Sequence, residues 1–274
     1  MKLRQALGGK IPKKDLLNLK LSFDTVGSIA ILEVDKGMEK YEKRIAKTLL
    51  ELNKHIKTIV KKAGIHEGEL RLQKMKWLAG KKTKETIHKE SGVNIKLNVE
   101  KVYFSVRLGT ERLRIAKQVV PGEHILCMFS GCAPYPCVLA RQTKAKEIIG
   151  VELNDIGHQY GVENVTLNKL KNVTLYHGDV RTVVPGLKRA FDRIIMPLPH
   201  GADDFLDVAF SASKKGTIIH FYDFSDEVDI PITTKEKIRA ATKAAQQKVR
   251  ILQIVKCGSY APRKWRVCAD VQVV

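Results

Sequence analysis

The stretch His124-Ile-Leu-Cys-Met-Phe-Ser-Gly131 runs an apolar segment into a turn that holds a glycine, and four comparable apolar segments follow it at 148–153, 173–177, 192–196 and 217–224. Each is separated from the next by enough chain for a helix. Short strands alternating with helices imply βαβ crossovers, a mostly parallel sheet and helices on both faces. From Glu123 onward the chain therefore reads as a doubly wound α/β domain. Two more strands, 249–255 and 264–274, are expected to close the sheet as an antiparallel hairpin through the turn Gly258-Ser-Tyr-Ala-Pro-Arg263.

The preceding part has a different texture. Residues 22–34 read as a glycine-centred turn at Gly27 leading into an apolar strand. Apolar residues at Ile45, Leu49, Leu52, Ile56 and Ile59 recur at helical spacing beneath a basic face, which predicts one long helix from Lys36 to Lys62. Strand-like segments follow at 66–80 and 92–99. These elements predict a small basic α/β domain over residues 1–102, with the larger domain over 103–274.

Charge narrows the partner class. Among 274 residues, 49 Lys and Arg stand against 29 Asp and Glu, a formal charge of +20. Such a field attracts polyanions, so nucleic acid is the leading partner. A membrane surface is the weaker rival, because the sequence holds no apolar run of about 18 residues and no basic amphipathic helix with an aromatic face. The first ten residues lack the apolar core of a secretory signal, so a cytoplasmic location is expected. The five cysteines form no Cys-x-x-Cys pair, and the spacing of the first three does not suit zinc. They read as small apolar core residues.

In an open α/β sheet the ligand lies outside the C-terminal strand ends. There the sequence places Met128-Phe-Ser-Gly131, then Glu152, then Gly178-Asp179, then Met196-Pro-Leu-Pro-His-Gly-Ala202. A glycine in the first turn permits close backbone approach, or simply makes a tight corner. An acid at the second strand tip can accept both hydroxyls of a ribose, and one at the third can receive an adenine amine. Each acid taken singly can equally be a helix cap or a solvated charge. Their succession at consecutive strand ends favours an adenosyl ligand.

Several segments together are more specific than the fold. They are Val102-Tyr-Phe-Ser-Val-Arg-Leu-Gly-Thr-Glu-Arg-Leu-Arg-Ile-Ala-Lys117, Met128-Phe-Ser-Gly131, Ile195-Met-Pro-Leu-Pro-His-Gly-Ala-Asp-Asp-Phe-Leu-Asp207, Ile218-Ile-His-Phe-Tyr-Asp223 and Tyr260-Ala-Pro-Arg263. From about Ser22 to Val274 the chain resembles the archaeal and eukaryotic tRNA (guanine-37-N1) methyltransferases. The resemblance implies a Rossmann-like class I methyltransferase sheet behind a small RNA-handling domain, S-adenosylmethionine as donor, tRNA as acceptor, no metal, and a monomer. It implies Glu111 and Arg71 as catalytic residues. A carboxylate at Glu111 can remove the guanine N1 proton, and a guanidinium at Arg71 can stabilise the charge pushed onto O6. It further implies donor contacts from Phe129, Ser130, Gly131, Glu152, Asp179, Val180, Pro197, Arg107 and Arg112, and acceptor contacts from Tyr103, Pro199 and Arg263.

Alternatives stay open beside these roles. Glu111, Arg112, Arg114 and Lys117 are close enough in sequence to pair with one another on an ordinary charged helix face. Three departures from the family pattern also matter. The turn after the first strand reads Cys127-Met-Phe-Ser-Gly-Cys-Ala-Pro134, without the family's strand-end Asp and second Gly. Pro197 stands where the family has Asn. The short leader before Ser22 is expected to leave no room for the extra N-terminal domain of many relatives. A tRNA-wybutosine aminocarboxypropyl transferase, which uses the same donor, and a catalytically silent tRNA-binding protein are therefore the competing expectations.

Overall fold

In this computed structural model, residues 3–19, 21–35, 37–68, 70, 72–198 and 200–274 are described. Two compact units divide the chain, one of Met1–Lys89 with Asn94–Val106, the other of Glu90–Val93 with Arg107–Val274.

The first unit begins with short helices α1 (Leu3–Ala6) and α2 (Lys13–Asn18), followed by strands β1 (Leu21–Val26) and β2 (Ile29–Val34), helix α3 (Glu42–Leu52), and strands β3 (Thr58–Glu67) and β4 (Leu72–Gly80). The four strands form a sheet in chain order, with β2 and β3 parallel and the outer pairs antiparallel. A parallel pair needs a crossover, and α3 provides it. Ile45, Ala46 and Leu49 on α3 are buried with Ala30, Leu32, Ile59 and Leu78 of the sheet, while Lys43, Arg44 and Lys47 face solvent. Strands β5 (Glu85–Glu90) and β6 (Val93–Asn98) make a separate two-stranded sheet.

The long helix expected over 36–62 is not formed: α3 stops at Leu52, and Asn53 turns its side-chain amide back onto the Leu49 carbonyl at 2.8 Å. Ile56 and Ile59 are buried as the periodicity suggested, but they do so from a loop and a strand. The β-branched run Thr58-Ile59-Val60 loses rotamer freedom in a helix and fits a pleated sheet.

The second unit contains α4 (Gly109–Ala116), β7 (His124–Cys127), α5 (Pro134–Gln142), β8 (Glu147–Glu152), α6 (Asp155–Leu167), β9 (Val173–His177), α7 (Val180–Gly186), β10 (Phe191–Met196), α8 (Leu206–Ser211), β11 (Ser213–Asp226), α9 (Ile232–Ala244), β12 (Val249–Ala261) and β13 (Lys264–Val273). The sheet runs β12-β13-β11-β10-β7-β8-β9. Strands β7 to β11 are parallel, and β13 is antiparallel to both β11 and β12. The alternating pattern read from the sequence is thus the observed Rossmann-like sheet. The closing hairpin is tighter than expected, since β12 extends through Ala261 and only residues 262–263 turn. Leu126, Ile149, Phe191, Ile194, Phe221 and Val271 form the centre of the core. Cys127, Cys132, Cys137 and Cys268 are buried free thiols, and burial pushes their proton affinities far up, as inert core residues require. Among the described residues no helix is long and apolar enough to cross a membrane.

Candidate active site

Strand order reverses beside β7: β8 and β9 build outward on one side, β10 and β11 on the other. That reversal opens a crevice at the C-terminal strand ends, the usual ligand position in such sheets. The β7 turn is shaped for it. Phe129, Gly131 and Ala133 all take left-handed backbone, with φ of 54°, 56° and 61°. The Ser130 amide donates to the Val151 carbonyl at 2.8 Å and so ties the turn to β8.

Glu152 at the tip of β8 completes the tie. One carboxylate oxygen accepts the Gly131 amide at 2.5 Å and the other accepts the Asn154 amide at 2.8 Å. Burial raises its proton affinity, and these backbone donors oppose that. Each oxygen keeps a second lone pair, so the group can still accept a diol. Gly150, one strand layer below, is required by close packing: a Cβ there would lie 2.5 Å from Leu175 Cδ2 and 3.0 Å from Ser130 Oγ. Asp179 caps α7 by accepting the Arg181 amide at 2.7 Å, which realises the capping alternative at that strand end. Val180, the first residue of α7, is buried.

Phe129, a candidate from the sequence, is joined here by aromatic residues to which the sequence assigned no role. Phe129 and Phe205 meet edge to face at 4.9 Å, and the Arg181 guanidinium lies 3.8 Å over the Phe205 ring. His158 and His177 lie 5.6 Å apart, and His177 Nε2 donates to the Leu153 carbonyl. Phe224 stacks with Tyr260 at 4.2 Å and with His200 at 4.4 Å. The turn, the tied carboxylate and these apolar faces fit an adenosyl donor. Phe129, Ser130, Gly131 and Glu152 would hold it, and its sulfonium would supply the electrophilic carbon.

Helix α4 carries Glu111 and Arg112 to separate partners. Arg112 is 1% exposed and forks onto Glu90, its Nη2 donating to Oε2 at 2.7 Å. This buried pair occupies Arg112 inside the unit, where the resemblance implied a donor contact. Glu111 is 4% exposed. Arg114 donates to both of its oxygens at 2.8 Å, and Tyr222 donates to Oε1 at 2.7 Å. The helix-face pairing of Glu111 with Arg114 is therefore present. The tyrosine makes it more than a surface pair: Tyr222 follows Phe221, which is level with Met196 at the end of β10, so its bond to Glu111 is made near the C-terminal ends of the parallel strands.

Arg114 is shared. It also donates to Asp270 at 2.7 and 3.1 Å. No local signal marks Tyr222 or Asp270, which lie 111 and 156 positions from their partners in sequence. Arg107 and Arg263 are exposed, Arg263 in left-handed backbone at the hairpin tip, and Pro197 directly follows β10. Tyr103 lies half-buried in the first unit. The expectations for Arg71 and Pro199 fall outside the described residues.

Comparison with known proteins gives the family. Residues 86–252 match the TRM5/TYW2 methyltransferase domain, and residues 3–83 match the TYW2 N-terminal domain. The chain is 37% identical over 263 residues to the tRNA (guanine(37)-N(1))-methyltransferase Trm5b of Pyrococcus abyssi, covering 96% of this chain and 78% of the relative. The crystal structure of that protein superposes with a TM-score of 0.87 over the same shares. The tRNA(Phe) (4-demethylwyosine(37)-C(7)) aminocarboxypropyltransferase of Pyrococcus horikoshii is 32% identical over 99% of this chain and 96% of its own. A complex of aTrm5 with tRNALeu superposes with a TM-score of 0.86 at 30% identity, over 100% of this chain and 78% of that one. With the Rossmann-like sheet, the tied strand-tip carboxylate and matches over nearly its whole length, the chain belongs to the TRM5/TYW2 methyltransferase family.

Proposed function

We propose that this protein transfers the methyl group of S-adenosylmethionine to N1 of the guanosine at position 37, beside the anticodon of tRNA. The observation that carries this reading is Glu111, a carboxylate oriented by Arg114 and Tyr222 near the C-terminal ends of the parallel strands. Guanine N1 bears a proton that must leave as the nitrogen attacks, and an oriented carboxylate can accept it. Arg71 is assigned to O6, where a guanidinium would hold the developing charge by planar hydrogen bonds. The formal charge of +20 favours the polyanionic acceptor, and the relative from Pyrococcus abyssi bears the name of the same reaction.

A second reading has its own support. The first 83 residues match a TYW2 N-terminal domain, and the aminocarboxypropyltransferase of Pyrococcus horikoshii is covered over 96% of its length. In that reaction the same sulfonium would yield its aminocarboxypropyl carbon. Incubation with unmodified tRNA and donor labelled separately in the two arms, followed by nucleoside analysis, decides between them. Methyl label in 1-methylguanosine is expected; aminocarboxypropyl label overturns the first reading. Under the first reading, Glu111→Gln depresses single-turnover rate by about 100-fold or more with tRNA affinity retained.

A further inference from the structure

Glu111 stands at one end of a continuous chain of buried and half-buried polar groups that runs across the strands of the sheet. Arg114 bridges Glu111 and Asp270. Asp270 also accepts from His220 Nδ1 at 2.6 Å, from Gln253 at 2.7 Å and from Gln118 at 3.1 Å. His220 Nε2 lies 2.7 Å from Arg193 Nη1. A guanidinium only donates, so Nε2 is the acceptor, Nδ1 carries the hydrogen, and His220 is neutral. Arg193 ends the chain on Glu123, with bonds of 2.8 and 2.9 Å. Asp270 and His220 are fully buried and Arg193 is 3% exposed.

The charges do not cancel. Counted along the chain itself, three carboxylates, Glu111, Asp270 and Glu123, stand against two guanidiniums, Arg114 and Arg193. Taking up one proton neutralises the chain. Asp270 is the wrong place for that proton, because its donors hold its carboxyl far below the usual carboxylate range against the penalty of burial. Glu111 has fewer donors and lies near the C-terminal strand ends. Among the described residues near it, Tyr222 and Tyr135 are hydroxyls joined at 2.7 Å, Cys257 and Cys268 are protonated thiols, Arg112 is bonded to Glu90, and the nearly buried Arg266 is a further cation beside Cys257.

We propose that Asp270, acting through Arg114, is a positioning residue for the transfer reaction: by sharing the Arg114 guanidinium with Glu111, it keeps that cation from serving Glu111 alone and holds Glu111 oriented to accept the N1 proton. This rests on the reading of Glu111 given above. In the step, the N1–H bond breaks as a Glu111 O–H bond forms, and the methyl C–S bond breaks as N1–C forms. The sulfonium becomes a neutral thioether, and the buried chain ends neutral.

The test measures single-turnover methyl transfer to unmodified tRNA against pH with the full chain, first for wild type and Glu111→Gln, then for Asp270→Asn and Gln253→Leu. In Asp270→Asn the whole charge of Arg114 falls on Glu111. The acidic limb of the profile should move down by about one pH unit, with the plateau rate reduced about 10-fold or more and donor and tRNA affinities retained. In Gln253→Leu, an exposed position, Asp270 loses a donor and draws more on Arg114, so the limb should move up. Should Asp270→Asn fail to fold, the direction in Gln253→Leu decides. Loss of activity in Glu111→Gln with limbs unmoved in the folded variants overturns this proposal alone. Wild-type activity in Glu111→Gln overturns the reading of Glu111, and this inference with it.

Discussion

Arg112 offers the most direct test of how the structure assigns a residue that the family resemblance placed at the donor. The side chains of Arg112 and Glu90 are 2% and 9% exposed and bonded in a fork. Replacing Arg112 with Met keeps length and apolar stem but leaves the Glu90 carboxylate buried without its cation. Breaking one side of such a pair costs about 3–5 kcal/mol. For a domain of this size each kcal/mol lowers the melting temperature by roughly 2–4 °C, so the fall should be roughly 6–20 °C. The assay is thermal and urea unfolding of the full chain, with donor affinity measured on the folded protein by calorimetry. Removing the stranded charge as well, in Glu90→Gln/Arg112→Met, should recover most of the loss, because an apolar or neutral replacement of a buried pair is often close to neutral. A loss below about 1 kcal/mol, well under the range for a broken buried pair, would refute the structural role. So would a folded Arg112→Met of unchanged stability whose donor affinity has dropped tenfold.

Two further outcomes follow from the same unit. In Gly150→Ala the new Cβ meets Leu175 Cδ2 at 2.5 Å and Ser130 Oγ at 3.0 Å, so stability should fall by about 1–3 kcal/mol and calorimetry should show weaker donor binding; unchanged values for both would mean that Ser130 does not position the β7 turn. Burial, helped by Arg193 and Arg114, holds His220 below the usual imidazole range despite Asp270. The unfolded chain takes up that proton near pH 6.5, so this stabilisation is complete above that pH and is lost as pH falls, with a slope of up to about 1.4 kcal/mol per pH unit. Urea unfolding of wild type and His220→Gln at pH 7.5 and 5.0 checks it, and an equal acid loss in both proteins would remove His220 as the cause.

The chemistry of the site was unevenly legible in the amino-acid sequence. Residues 128–131, Glu152 and Asp179 could be placed because each follows a strand, and the position of a strand end is a local property of apolar runs and turns. The resemblance added Glu111, but its i, i+3 spacing to Arg114 could only pose the choice between a base and an ordinary ion pair. The structure shows the ion pair and adds Tyr222 as a second partner of Glu111, and the role of base is the proposal made above. At Asp179 the structure shows the cap.

By itself, then, the sequence determined the order of strands and helices in the second unit, the burial of four of its five cysteines and the basic field, since these depend on period, size and charge counted along the chain. It also showed that Ile56 and Ile59 are core residues, but not their backbone, because a helix and a strand can both bury an isoleucine at such a spacing. Only tertiary structure decided which charges meet. Glu90 with Arg112, Glu111 with Tyr222, and Asp270 with Arg114 and His220 join positions 22 to 156 residues apart. Pairing at that range is set by sheet order and register, and it fixes whether a buried carboxylate supports the fold or stands ready to take a proton.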